Sequence, residues 1–394
     1  MQKIVALQQD PVGAGERRDH SDNLTAMRVV SSFETAFGGT PEGVWHAPGR
    51  VNLIGEHTDY NDGLVLPFAV PWGVSAAVAR RSDDRVRVVS AQAGGGPVEE
   101  VAGWAAYPIG VALTMRKAGL PVGGADIAID GDIPRGAGLS SSAALEVSVA
   151  LALNDLYDLG QSPMELALLG QRAENEVVGM PCGIMDQAAS ALSEEGHVLL
   201  LDCRSLGSRT IPFDLPSQGL ELVIIDTGVH HELADGQYAR RRADCESAAA
   251  KLGVEALRDV TDLAAALSGL SGDERKRTQH VVTENHRVEA VVGLLRAGAV
   301  AEIGALLNAS HLSLRDQFEV SCAELDVAVE SAVRGGARGA RMTGGGFGGS
   351  AIALVAADRA DTMRRTVAEA YEAKGWQPPV FRTATPSAGA RRLS

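Results

Sequence analysis

The sequence predicts an α+β protein of two domains, and three observations carry that expectation. Its 394 residues exceed what a single hydrophobic core usually holds. Strand-like runs crowd the stretch from Val44 to Ser90, whereas the chain reads as almost continuous helix from about residue 227 to Val333; a doubly wound sheet would alternate the two. No segment recurs at a fixed period.

Taken in order, residues 1–20 show little pattern and are expected to be flexible. An amphipathic helix is expected from Asn23 to Phe37, ended by Gly38-Gly39. The runs VLPFAV, GVSAAVA and RVRVVS read as short strands, and so does DIAID at 126–130. The stretch Ser141–Leu159 is too long and too apolar for a surface strand and reads as a buried helix. Ser162-Pro163-Met164-Glu165 is a capping box with proline at the first helical position. Strands follow near 197–202 and 221–226, and the strand SAIALVAA and a helix near 359–373 close the chain. The domain change is set at 205–220, giving a first domain of 21–210 and a second of 211–394.

Composition narrows the function. A formal charge of −14 argues against nucleic-acid or anionic-membrane partners, which need basic faces, but leaves room for a nucleotide site that needs only local positive potential. The four cysteines, Cys182, Cys203, Cys245 and Cys322, form no CxxC pair and point to reduced thiols, not a disulfide framework or a zinc site. No apolar run is long enough to span a membrane, and the first residues lack the apolar core of a signal peptide, so a cytoplasmic protein is expected.

Three motifs carry chemistry. In Ala47–Gly63, Glu56, His57 and Asp59 gather hydrogen-bonding capacity after an apolar strand end, and short carboxylates bind the vicinal hydroxyls of a sugar. Arg50 adds a fork suited to a phosphoryl group. By itself the segment is equally a polar turn tipped by Asn61-Asp62-Gly63. In Pro134–Ala143, glycines and three serines precede a helix whose first N–H groups would face an anion, although no GK[ST] of a Walker loop is present. Met342–Ser350 formally contains GxGxxG, but it precedes a strand and not a helix, so a dinucleotide fold is rejected and a glycine loop or hairpin turn remains. One further segment, Cys182-Gly183-Ile184-Met185-Asp186-Gln187, places Asp186 at the start of a short helix, where a carboxylate is stabilised and is by itself more often a cap than a catalyst.

With these residues in hand, the chain resembles the galactokinase family of the GHMP small-molecule kinases over nearly its whole length. GRVNLIGEHTDYNDG is similar to that family's signature, PRGAGLSSSAALE to the phosphate loop, MTGGGFGGS to the third motif, and CGIMDQ to the segment with the catalytic aspartate. The resemblance implies a two-domain GHMP kinase fold with the active site in the interdomain cleft. The implied reaction is ATP-dependent phosphorylation of galactose at its anomeric hydroxyl, the first step of galactose catabolism. It further implies that Asp186 and Arg50 are catalytic and that Glu56, His57, Thr58, Asp59 and Tyr238 bind the sugar. Gly136, Ala137, Gly138, Leu139, Ser140, Ser141 and Ser142 would wrap the triphosphate, and Ser142 and Glu174 would hold Mg2+. Trp72 and Ser90 are candidates for the adenine pocket. A small sugar is the expected partner and the chain is expected to be a monomer. Asp186 is expected to accept the anomeric proton, but a guanidinium beside a carboxylate favours its charged form and weakens it as a base, so it is expected to act largely through orientation and charge, with proton loss late. The alternatives are a kinase for another aldose such as N-acetylgalactosamine, and a sensor that binds galactose and ATP without turnover. The complete serine loop weighs against the sensor.

Overall fold

The computed structural model describes residues 14–134, 136–230 and 234–394. It opens with helix α1 (Ala14–Phe37) and strands β1 (Gly43–Asn52), β2 (Leu64–Val65), β3 (Pro67–Arg81) and β4 (Val86–Ser90). Helix α2 (Ala106–Lys117), strand β5 (Gly124–Gly131) and helices α3 (Ser141–Leu156), α4 (Pro163–Ala173) and α5 (Met185–Leu192) follow. Strands β6 (His197–Asp202), β7 (Ser208–Pro212) and β8 (Leu220–His230) lead into helices α6 (Ala234–Leu252), α7 (Leu263–Gly269), α8 (Gly272–Arg296), α9 (Gly304–Ser313) and α10 (Ala323–Arg334). The chain closes with β9 (Ala337–Thr343), β10 (Gly348–Ala356), α11 (Ala360–Glu372), β11 (Val380–Ala384) and β12 (Arg391–Arg392).

The flexible segment expected at 1–20 lies partly outside the described residues; from Ala14 onward it is helix. Glu16, Arg17, Arg18 and Asp19 have ordinary helix propensity but no apolar period, so periodicity could not extend the helix upstream of Asn23. Two expected strands are one: β3 runs through Pro71. It pairs with β1 at residues 67–69 and 73–78 but not between, where β1 carries a bulge between Pro48 and Arg50. A proline needs no ladder donor at such a break. The capping box forms, with Ser162 Oγ accepting from Glu165 N and Glu165 reaching back to Ser162 N.

Among the described residues the strands form three sheets, in the orders β12-β1-β3-β5-β4, β11-β8-β10-β9 and β2-β6-β7. The inner strands β8 and β10 of the second sheet are buried on both faces, and strand alternation divides them between two cores. Leu222, Ile224, Ile352 and Leu354 join the core built by the N-terminal half. Val223, Ile225, Ala351 and Ala353 pack instead with residues of α10 and α11 such as Leu325, Val329, Met363 and Val367. The division at 210/211 is therefore crossed by this shared core and, among other contacts, by β12, which pairs with β1 at Trp45 and His46.

Candidate active site

The end of β1, the turn after it, the start of α3, the start of α5 and the β9–β10 turn converge on one cleft. The bulge in β1 aims Arg50. Gly49 allows the approach, since a Cβ there would fall 2.5 Å from Leu139 O, and Arg50 N donates to that same carbonyl at 3.1 Å. The Arg50 side chain is nearly fully buried. It binds Asp186 bidentately, Nε to Oδ1 at 2.7 Å and Nη2 to Oδ2 at 2.8 Å, and its Nη1 donates to Gly138 O at 2.7 Å. Asp186 is the second residue of α5, where the helix dipole favours its charge. Ser140 donates to Asp186 Oδ2 at 2.5 Å. It does so from a left-handed backbone with φ of +57°, which a serine holds only where its surroundings impose it.

Ser141 and Ser142 are the first residues of α3, so the orphan N–H groups of that helix open beside the loop. Ala137 and Leu139 turn their side chains into the core, leaving only backbone for a ligand. Ser350 Oγ, the last residue of the third motif, donates to Ala137 O and ties the two glycine segments together. Arg135 of this loop lies outside the described residues.

Asp59 is held by its neighbourhood as much as by its own bonds. A Cβ on Gly183 would fall 1.8 Å from Asp59 Oδ2, so this glycine is what lets the carboxylate stand where it does. Burial, then the nearby Asp186 charge, pushes the Asp59 carboxyl up to about 7. His57 is buried against Phe318, Tyr238 and Tyr60, with ring centroids 4.7, 5.5 and 5.9 Å away. Burial, then His280, drives its imidazole down to about 3, so it is neutral. Its Nδ1 lies 2.9 Å from Tyr60 Oη, and its Nε2 has no hydrogen-bond partner among the described residues. Glu56 Oε1 accepts from Gly344 N at 2.8 Å and Thr343 Oγ1 at 3.1 Å. Thr58 stands apart from the expected set. Its hydroxyl lies 2.8 Å from Gly55 O and 2.7 Å from Leu64 O, which fixes the turn, and it does not line the cavity.

A cavity of about 220 Å³ lies among Arg50, Glu56, His57, Asp59, Glu174, Asp186, Tyr238 and the Gly344–Phe347 turn. On the far side of Ser141 and Ser142 a second cavity of about 560 Å³ is lined by Ser90, Trp104, Tyr107, Ile129, Ile133 and Leu145. Trp72 packs against the N-terminal core instead. Glu174 lines the smaller cavity and accepts from Gln187 Nε2 at 2.7 Å; burial and then Asp186 raise its carboxyl, with the Ser142 hydroxyl acting against them. The same Gln187 nitrogen donates to the fully buried Glu146 at 2.9 Å. Among the described residues no group of three or more His, Cys, Asp or Glu is built to hold a metal alone.

Family models match three stretches of the chain: a galactokinase galactose-binding signature at 31–80, a GHMP kinase N-terminal domain at 106–194 and a GHMP kinase C-terminal domain at 291–373. A galactokinase of Streptomyces coelicolor is 55% identical over 381 residues, covering 93% of this chain and 98% of that protein. The chain belongs to the galactokinase family. Another galactokinase, of Streptomyces lividans, is 50% identical across 92% of this chain and 94% of its own length. The solved structure of Lactococcus lactis galactokinase complexed with galactose superposes with a TM-score of 0.89 at 35% identity, covering 93% of this chain and 99% of that one. A mevalonate kinase of Methanococcus jannaschii, at 16% identity and a TM-score of 0.63, shares the fold.

Read as a galactokinase, the chain holds site residues that its motifs did not point out. Tyr60 lies inside the signature but serves His57, Gln187 bridges two carboxylates, and Trp104 and Tyr107 line the larger cavity. The aromatic pair just before and within the start of α2 was the available signal for the last two.

Proposed function

We propose that this cleft moves the γ-phosphoryl group of ATP onto the anomeric hydroxyl of galactose. The observation that carries the reading is the Arg50–Asp186 pair, with Nε–Oδ1 and Nη2–Oδ2 at 2.7 and 2.8 Å, at the meeting point of a carboxylate-lined cavity and a serine-tipped helix. Phosphoryl transfer asks mainly for alignment and charge stabilisation, which this arrangement supplies. Glu56, His57, Asp59 and Tyr238 line the smaller cavity and suit a hexose. The backbone of Gly136–Ser142 and the start of α3 suit a triphosphate, and the apolar, aromatic lining of the larger cavity suits a purine.

In the step itself the anomeric oxygen forms a bond to the γ-phosphorus as the bond to the β,γ-bridging oxygen breaks, and ADP leaves. Asp186 accepts the anomeric proton on a carboxylate already oriented by Arg50 and Ser140. Three N–H groups of the Arg50 guanidinium hold Asp186 and Gly138 O, which leaves two for charge building on the transferring group.

Ser142 and Glu174 fit magnesium: a hydroxyl near enough to influence one carboxylate gives a pair of hard oxygen donors of the kind that ion takes alongside phosphate oxygens. When bound with ATP it supplies charge neutralisation on the β- and γ-phosphates. The reading takes the chain as a cytoplasmic monomer in which 21–210 contributes the sugar signature and phosphate loop and 211–394 the third glycine motif. Coupled ADP detection over a panel of hexoses tests it: galactose should be consumed far faster than other aldoses, and no turnover of galactose with magnesium and ATP would overturn it.

A further inference from the structure

We propose that Arg341 is a positioning residue for sugar recognition, holding the Glu56 carboxylate from the strand behind the third glycine motif; this rests on the reading of Glu56 as a sugar ligand. Arg341 is on β9, fully buried, and among the largest wholly enclosed side chains of the molecule. An arginine is enclosed in this way only when its charge is matched. Its Nη1 donates to Asn52 O and Leu53 O, both at 3.2 Å, closing the end of β1 just before the signature turn. Its Nη2 stands 3.3 Å from Glu56 Oε1.

The other contacts of Glu56 show what this achieves. Thr343 Oγ1 and Gly344 N also reach Oε1. All three contacts fall on one oxygen, which leaves Oε2 for a ligand in the cavity that Glu56 lines. The backbone there is pinned from a different element, α8: His280 Nε2 lies 3.0 Å from Glu56 O, and Gly55 N donates to Glu284 Oε1 at 3.0 Å. Main chain and carboxylate are thus fixed from two directions. A carboxylate with one oxygen held offers the other in a single direction, so hydroxyl recognition loses less rotational freedom. Arg341 thereby makes sugar binding depend on how the β9 strand meets the end of β1.

Arg341→Met would leave Glu56 buried and unpaired, so Arg341→Lys, which keeps a cation but loses the planar fork, carries the test. KM for galactose and for ATP and discrimination among monodeoxygalactoses are measured for Arg341→Lys, Glu56→Gln and the double variant, with thermal melts alongside. The expected result is a galactose KM raised about tenfold in Arg341→Lys, the scale of one displaced close ion-pair contact on the carboxylate. ATP KM should stay within about twofold, and the preference lost should be for the same hydroxyl that Glu56→Gln ceases to recognise. In the double variant Arg341→Lys should add almost nothing to Glu56→Gln. An impaired Glu56→Gln beside a silent Arg341→Lys overturns the proposal alone. Full additivity, or a parallel rise in both KM values with a lowered melt, overturns it too, since Arg341 would then be structural. A silent Glu56→Gln overturns the sugar-ligand reading of Glu56 and the proposal with it.

Discussion

Asp186 has both carboxylate oxygens engaged by Arg50 and Ser140, so its geometry is set by the protein itself. Removing that carboxylate with Asp186→Ala should lower kcat by about 10²–10⁴, the usual range for a positioned proton acceptor. ATP affinity by titration calorimetry should change little, and near-native turnover would remove Asp186 from the step. Arg50→Lys cannot reproduce two parallel bonds and should also lower kcat well beyond any change in galactose KM. Asp59, with its carboxyl pushed up to about 7, loses its charge as pH falls through that value. Galactose KM measured across neutral pH should therefore rise toward the acid side. The sign for stability is opposite: between 3.8 and about 7 the folded chain keeps a proton that the unfolded chain releases, so Asp59's contribution falls as pH rises. Glu56, His57 and Asp59 were legible because they are neighbours in sequence. What sets them apart was not legible, because it comes from Gly183, Phe318 and Thr343 across the fold.

Helix and strand ends carry the site, and they divide sharply into those written locally and those imposed from afar. The α4 cap was visible because Ser162 and Glu165 complete each other within four residues. Ser162→Ala should lower unfolding free energy by about 1 kcal/mol and leave kcat unchanged, which denaturant titration and steady-state kinetics check. The continuity of β3 was hidden, since Pro71-Trp72-Gly73 looks like a stop until the bulge in β1 is known. At the approach to α5, Gly183→Ala should raise galactose KM by displacing Asp59, with a smaller effect on ATP KM. Equal effects on both substrates would show that the glycine serves the helix and not the sugar.

Across the molecule, the two halves share a core in which Leu222, Ile224, Ile352 and Leu354 pack with the N-terminal strands and helices. Hydrophobic patterning announced an α+β chain of this size, but it could not show that alternate residues of β8 and β10 serve different cores. Calorimetry should therefore give one cooperative unfolding transition, shifted upward by galactose and by ATP with magnesium; two separated transitions would show that the halves are thermally independent. The proposed mechanism turns on which atom receives the phosphoryl group. Phosphorus–proton correlation spectroscopy on the product made from galactose and ATP reads this directly. The expected result is coupling from phosphorus to the proton on the anomeric carbon, appearing about 10²–10⁴ times more slowly when Asp186→Ala replaces the native protein; phosphorus on any other carbon, or no phosphorylated sugar, would contradict it.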